Sequence, residues 1–135
     1  MAIHGIGSDL IRVARLEAVL ARHGDRFATR ILAAEEQADY ARATDRAAFL
    51  AKRFAAKEAA AKALGTGIRD GLRLAHFAVG HDRRGRPLLN LHGRAAELAA
   101  AAGIVASHLS LSDEGGFALA FVVLECDPGR PELES

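Results

Sequence analysis

The sequence predicts an α+β fold, an antiparallel sheet packed with helices, and three features carry that expectation. Two late stretches, "LRLAHFAVGHDRRGRPLLNL" and "VASHLSLSDEGGFALAFVVLE", each set apolar runs on either side of a turn signal, as a hairpin does. The opening "AIHGIGSDLIRV" has strand-like apolar residues, and the region between it and the first hairpin switches to helical spacing. Strand, helices, hairpin, helix, hairpin is an order that sets helices against an antiparallel sheet.

In the first strand, Gly5 and Gly7 mark a bend or a close approach by another backbone, and Asp9 lies in or at the end of the same strand. Residues 14–32 repeat apolar side chains at Leu16, Val19 and Leu20, break at Gly24, and resume at Phe27, Ile31 and Leu32, so two short helices are expected. "AAEEQADYAR" reads as a further short helical piece. From about Asp45 to Leu64 runs the strongest helix of the chain, with Thr44 placed to cap it, Asp45 at its positive end and Gly65 as its terminator. "HGRAAELAAAAG" is a helix stopped by Gly103, and "DEGG" is the turn of the closing hairpin.

The chain has 135 residues, half of them hydrophobic, which is the size of a single domain spanning 1–135 with residues 128–135 as a frayed tail. Aromatic residues make up only 5% and alanine is abundant, so elements must approach closely to pack. Cys126 is the lone cysteine, which fits a reducing, cytoplasmic setting. Asp9 interrupts the first apolar stretch and no basic leader precedes it, unlike a signal peptide. The remaining apolar runs fall well short of the ~20 residues that cross a bilayer, so no membrane role is expected.

Net charge is +1, but it is unevenly distributed. Residues 12–30 carry five Arg against two acids, and residues 42–73 carry eight Lys or Arg against three, whereas residues 110–135 carry one Arg against six acids. Localised basic segments in a nearly neutral chain point to a discrete anionic partner rather than to nucleic acid.

The stretch "RFAAKEAAAKALGTGIRDGL", residues 53–72, concentrates the chemistry. Glu58 and Lys62 are four apart in the order that suits a surface ion pair, worth about 0.2 to 0.5 kcal/mol, and that is its plainest reading. Against it, alanine fills nearly every uncharged position from 55 to 63, which leaves little free surface for decorative charge. The glycines follow the helix, at its negative end, so a phosphate-cradling loop of the P-loop kind is excluded. Any phosphate there must be met by Lys and Arg side chains or by a cation. Mg²⁺ needs oxygen ligands and often takes only one or two carboxylates from the protein. Glu58 is one candidate and Asp9, a carboxylate in an apolar strand, is the other, with a turn or capping role as its alternative.

"GIGSDLIRVARLE" (5–17) and "RFAAKEAAAKALGTG" (53–67) resemble the two signature motifs of the holo-acyl-carrier-protein synthases, the short bacterial class of 4′-phosphopantetheinyl transferases. The resemblance extends through nearly the whole chain in length and element order, and implies the fold of that family. It also implies transfer of the phosphopantetheine arm of coenzyme A to a serine of apo-acyl carrier protein, in support of fatty acid biosynthesis, with release of adenosine 3′,5′-bisphosphate. Asp9 and Glu58 match the family's Mg²⁺ ligands. Lys62 and Lys57 match residues that hold the coenzyme A diphosphate, Gly65, Thr66 and Gly67 line the site, and Arg46 and Arg53 are placed toward the nucleotide end; His108 keeps a histidine position of the family, either near the site or satisfying a backbone group. A homotrimer with active sites between subunits is implied as well. Arg12 and Asp113 depart from the pattern, which bears on carrier preference and on the nucleotide pocket.

Two further expectations follow. Arg15, Arg22, Arg26 and Arg30 recur at spacings of seven, four and four and form one basic stripe, a docking surface for the small acidic carrier. The serine proton can pass to Glu58, to Asp9 or to a metal-bound water, and the residues do not choose among them. Two competing functions use part of the same residues. A Mg²⁺-dependent hydrolase of nucleotide diphosphates would need Asp9, Glu58 and Lys62 but no carrier-facing stripe, and a non-catalytic coenzyme A module would need neither carboxylate.

Overall fold

Two glycines let a strand lie directly on a helix, and the rest of the molecule is arranged around that contact. In the computed structural model, which describes residues 1–127, strand β1 (Ala2–Arg12) runs along helix α4 (Arg46–Leu64). A Cβ on Gly5 would stand 2.1 Å from the carbonyl oxygen of Ala63, and one on Gly7 would stand 2.0 Å from that of Ala59. Only hydrogen fits at either position, so the close approach expected of these glycines is what they provide.

Helices α1 (Val13–His23) and α2 (Arg26–Ile31) follow β1, parted at Gly24 as the sequence anticipates. A 3-10 turn (Ala34–Glu36) and α3 (Gln37–Arg42) lead into α4. The cap of α4 is Asp45, whose carboxylate accepts from the Ala48 amide at 3.0 Å, and not Thr44. Its other end closes on Gly65 in the left-handed conformation, φ 94°. Ala55, Ala56, Ala59, Ala60, Ala61 and Ala63 are all buried, so α4 is enclosed on most sides and the alanines set how near its neighbours come.

After α4 come the hairpin β2 (Phe77–His81) and β3 (Pro87–Leu91), helix α5 (Gly93–Ala101), and the hairpin β4 (Ile104–Glu114) and β5 (Phe117–Cys126). Strands β1, β5 and β4 form one antiparallel sheet in that order, and β2 with β3 forms a second. Asp82 organises the β2–β3 turn by accepting from the amides of Arg84 and Arg86, both at 2.9 Å. The tail expected at 128–135 lies outside the described residues.

One face of the three-stranded sheet is buried on α4 through Ile11, Ala118, Ala120, Val122 and Leu124. Strand registers put Leu10 opposite Leu119, Ser8 opposite Phe121 and Ile6 opposite Val123 on the other face. There Ile3, Ile6, Leu10, Leu119 and Phe121 are exposed. The apolar doubling of "FALAFVVL" thus has two causes: alternate residues enter the core, and the others form a bare ridge. No helix among the described residues is long and apolar enough to cross a membrane.

Candidate active site

The β1–α4 contact brings together the charged residues that lie about fifty positions apart in sequence. Asp9 follows Gly7 on the strand face turned toward the helix, and Glu58 and Lys62 lie on the helix face turned toward the strand. Lys62 Nζ donates to the Ser8 carbonyl at 2.9 Å and to Asp9 Oδ1 at 3.3 Å. The ion pair of Lys62 is therefore with Asp9, across the contact, rather than the local one with Glu58 that the spacing allows. Lys62 remains about half exposed, its side chain at 55%, so this pair alone adds little stability and the ammonium stays open to a ligand.

Desolvation, and after it the charge of Asp9, raise the Glu58 carboxyl above its usual range, while Lys62 and Arg15 act in the opposite sense. Two carboxylates facing one another in a half-buried site favour a cation between them. Among the described residues no group of three or more His, Cys, Asp or Glu could hold a metal ion. A pair of carboxylates fits Mg²⁺ all the same, because that ion keeps several waters and takes phosphate oxygens from a substrate.

One turn beyond Lys62, the Gly65–Thr66–Gly67 loop departs from α4 with both glycines at positive φ. The Thr66 hydroxyl is buried and has no hydrogen-bond partner, which is the condition of a group awaiting a ligand or water. Loop and carboxylates lie at the same end of α4.

The other expected site residues are placed differently. Lys57 does not reach the site: it is fully buried, its Nζ donating to Glu36 Oε1 at 2.5 Å and to the Phe77 carbonyl. Burial pushes this ammonium below its usual range while Glu36 works against the shift. The correction follows from helix geometry, since adjacent residues point about 100° apart and only one of Lys57 and Glu58 can face β1. Arg53 is also interior, 5% exposed, bonded through Nη1 to Glu36 Oε2 and to the Val79 carbonyl, each at 3.0 Å. Its residue still lines a cleft of about 330 Å³ with Lys52, His81, Gly85, Pro87 and Asp113. Arg46 stacks on the Tyr40 ring, 4.9 Å to its centroid, and pairs with Asp25 at 3.3 Å. Burial and the Asp25 hydrogen bond push Tyr40 up to about 12.

His108 lies apart from the carboxylates of its own chain. It projects from β4 on the sheet face opposite to Asp9, beside Val123, and pairs with Glu125 at 2.6 Å. Within one chain it is not part of the site. Arg15, Arg22, Arg26 and Arg30 are all exposed, and Arg26 and Arg30 flank a hollow around Phe27 and His23. Arg12 lies over the Phe117 ring at 5.1 Å, and Asp113 joins the cleft of Lys52 and His81. Glu36, Lys52 and His81 escape a reading of the sequence. Glu36 gives a faint signal as an acid in an alanine-rich turn, and the other two give none.

The model of the 4′-phosphopantetheinyl transferase superfamily matches residues 5–122. The chain belongs to that superfamily. A holo-[acyl-carrier-protein] synthase of Alkalilimnicola ehrlichii is 64% identical to it over 124 residues, covering 91% of this chain and 97% of the relative. Among solved structures, the synthase of Neisseria meningitidis superposes with a TM-score of 0.85 at 43% identity, over 91% of this chain and 98% of that one. The Helicobacter pylori synthase, solved in complex with coenzyme A, superposes with a TM-score of 0.78 at 31% identity, over 89% and 99% respectively. The resemblance expected from the two motifs is borne out, as is the α+β fold of antiparallel sheet and helices, and the chain is an enzyme of the phosphopantetheinyl transferase kind.

Proposed function

We propose that this transferase moves the 4′-phosphopantetheine group of coenzyme A to a serine of apo-acyl carrier protein, with Mg²⁺, in the cytoplasm, in support of fatty acid biosynthesis. The observation that carries the proposal is the convergence of Asp9, Glu58 and Lys62 across the β1–α4 contact, with an unpartnered Thr66 hydroxyl at the same helix end. Asp9 and Glu58 would hold the ion, which supplies charge neutralisation to the diphosphate when bound. Lys62 binds the diphosphate and offsets charge on the departing side, and Thr66 donates to a phosphate oxygen. The cleft lined by Lys52 and Arg53 of α4 and by His81 at the end of β2 receives the nucleotide end.

The serine Oγ forms a bond to the phosphorus that bears the pantetheine arm. The bond from that phosphorus to the bridging oxygen breaks, its electron pair leaving with adenosine 3′,5′-bisphosphate. The serine proton passes to Glu58 or Asp9, the carboxylates at the site. There is little covalent work for the protein, and the acceleration comes from position and charge.

Arg15, Arg22, Arg26 and Arg30 steer the acidic carrier. The bare ridge of Ile3, Ile6, Leu10, Leu119 and Phe121 supports assembly into a homotrimer, which would also explain why His108 faces away from its own site and toward a neighbouring copy. Incubation with coenzyme A, Mg²⁺ and apo-acyl carrier protein, followed by weighing of the carrier, tests the reading. The carrier gains one phosphopantetheine; coenzyme A consumed with no change in carrier mass would instead favour a hydrolase.

A further inference from the structure

The segment that follows α4 is built around one unbonded hydroxyl. At its start the Gly65 and Gly67 amides both donate to the Ala61 carbonyl, at 3.2 and 3.4 Å, which closes the helix. His4 Nε2 donates to the Leu64 carbonyl at 3.2 Å, and Arg69 Nε donates to the Thr66 carbonyl at 2.7 Å. The peptide units Leu64–Gly65 and Thr66–Gly67 are thus fully bonded, while the buried Thr66 Oγ1 has no partner. A hydroxyl left free inside a satisfied frame keeps its bonding capacity for a ligand.

Arg69 reaches back to Thr66 because the chain reverses just after it. Asp70 is the only non-glycine among the described residues with a positive φ, 56°, and Gly71 follows at 85°. Two left-handed residues in succession, with the Leu72 amide donating to the Arg69 carbonyl at 3.0 Å, make a tight turn of the I′ kind, which Asp-Gly favours. Leu72, at the far end of the turn, is anchored in the core at 3% exposure. A left-handed aspartate persists only where its surroundings hold it. What this turn places is Arg69, an exposed residue whose Nε closes the loop over Thr66.

We propose that Arg69 is a positioning residue for the transfer: its Nε fixes the Thr66 carbonyl, and with it the direction in which the Thr66 hydroxyl meets a phosphate oxygen of coenzyme A. This rests on the transferase reading above and on Thr66 as a phosphate donor. Thr66 touches the substrate, and Arg69 acts through it. Without that bond the Thr66–Gly67 peptide turns about the permissive glycines on either side, and the hydroxyl loses its fixed aim.

A double-mutant cycle on the full chain tests this, read as kcat/KM for coenzyme A at saturating apo-carrier. Thr66→Val removes the hydroxyl and should lower kcat/KM about tenfold, as the loss of one hydrogen bond to a charged group does. Arg69→Ala should lower it about fivefold, and Arg69→Lys, which keeps the charge but lacks the Nε donor, should match Arg69→Ala. Thr66→Val combined with Arg69→Ala should be no slower than Thr66→Val alone, because the arginine then has no hydroxyl to aim. Full activity in Arg69→Ala or in Thr66→Val overturns the inference. So does wild-type activity in Arg69→Lys, which would assign the effect to charge, or losses that multiply in the combined variant, which would separate Arg69 from Thr66. Wild-type protein that modifies no carrier refutes the transferase reading itself, and the inference falls with it; that control tells the two failures apart.

Discussion

Gly7→Ala probes the contact on which the site depends. The added Cβ would begin 2.0 Å from the Ala59 carbonyl oxygen and 2.8 Å from the Ala63 amide nitrogen, both backbone atoms of an enclosed helix. To bring the first contact out to 3.0 Å, strand and helix must part by about 1 Å, from 3.0 minus 2.0. Overpacking of this kind costs about 1 to 3 kcal/mol, and a collision with backbone on both sides belongs at the upper limit, about 3 kcal/mol. For a chain of this length that corresponds to a fall in melting temperature of about 10 °C. Asp9 lies two residues beyond Gly7 and Glu58 one residue before Ala59, so the displacement also opens the carboxylate pair. A misplacement near 1 Å costs on the order of 100-fold in rate. Gly80→Ala is the control, because its Cβ would meet only Asn90 Nδ2, at 3.8 Å, and it should change stability by no more than about 0.5 kcal/mol. Thermal melts and carrier-modification rates of the two variants read both effects. A Gly7→Ala protein that melts and turns over like wild type would refute the close approach.

Tyr40 is the only tyrosine and the chain has no tryptophan, so ultraviolet absorbance titrates this one phenol. Its midpoint should fall near 12 in the native protein and move toward 10 in Asp25→Asn. The raised value stabilises the fold fully below pH 10, and that contribution should fade as pH rises from 10 through about 12; a native midpoint near 10 would show that the phenol is neither buried nor bonded to Asp25. Arg22→Glu should raise the KM for the carrier several-fold and flatten its salt dependence while leaving that for coenzyme A unchanged, and unaltered carrier kinetics would remove the stripe from docking. Phe121→Glu places a charge on the bare apolar ridge and should yield monomers by light scattering, with activity lost together with assembly.

The sequence showed strand, helices and hairpins because each leaves a local mark: Gly24 parts α1 from α2, Gly65 closes α4, and the glycines of "DEGG" turn the last hairpin. Gly5 and Gly7 announced a close approach, and Asp9 stood out as a charge in an apolar strand. What the residues alone could not show is direction around a helix axis. Lys57 and Lys62 look alike in "KEAAAK", yet one enters the core and the other the site, because only the partner elements decide which face of α4 is enclosed. Glu36 is not singled out in "AAEEQADYAR", because its partners Lys57, Arg53 and the Val79 amide come to it from distant positions only in the fold. His108 has the expected neighbours in sequence, but the two-residue period of β4 sends it to the outer sheet face.

The central claim is that Asp9 and Glu58 together hold the metal ion of the transfer reaction. Mn²⁺, a spectroscopic substitute for Mg²⁺, can be titrated into the protein in the presence of coenzyme A and followed by the loss of its free electron paramagnetic resonance signal. Wild-type protein should bind one ion per chain, and Asp9→Asn and Glu58→Gln should each weaken binding at least tenfold while remaining folded. Undiminished binding in either variant would contradict the account.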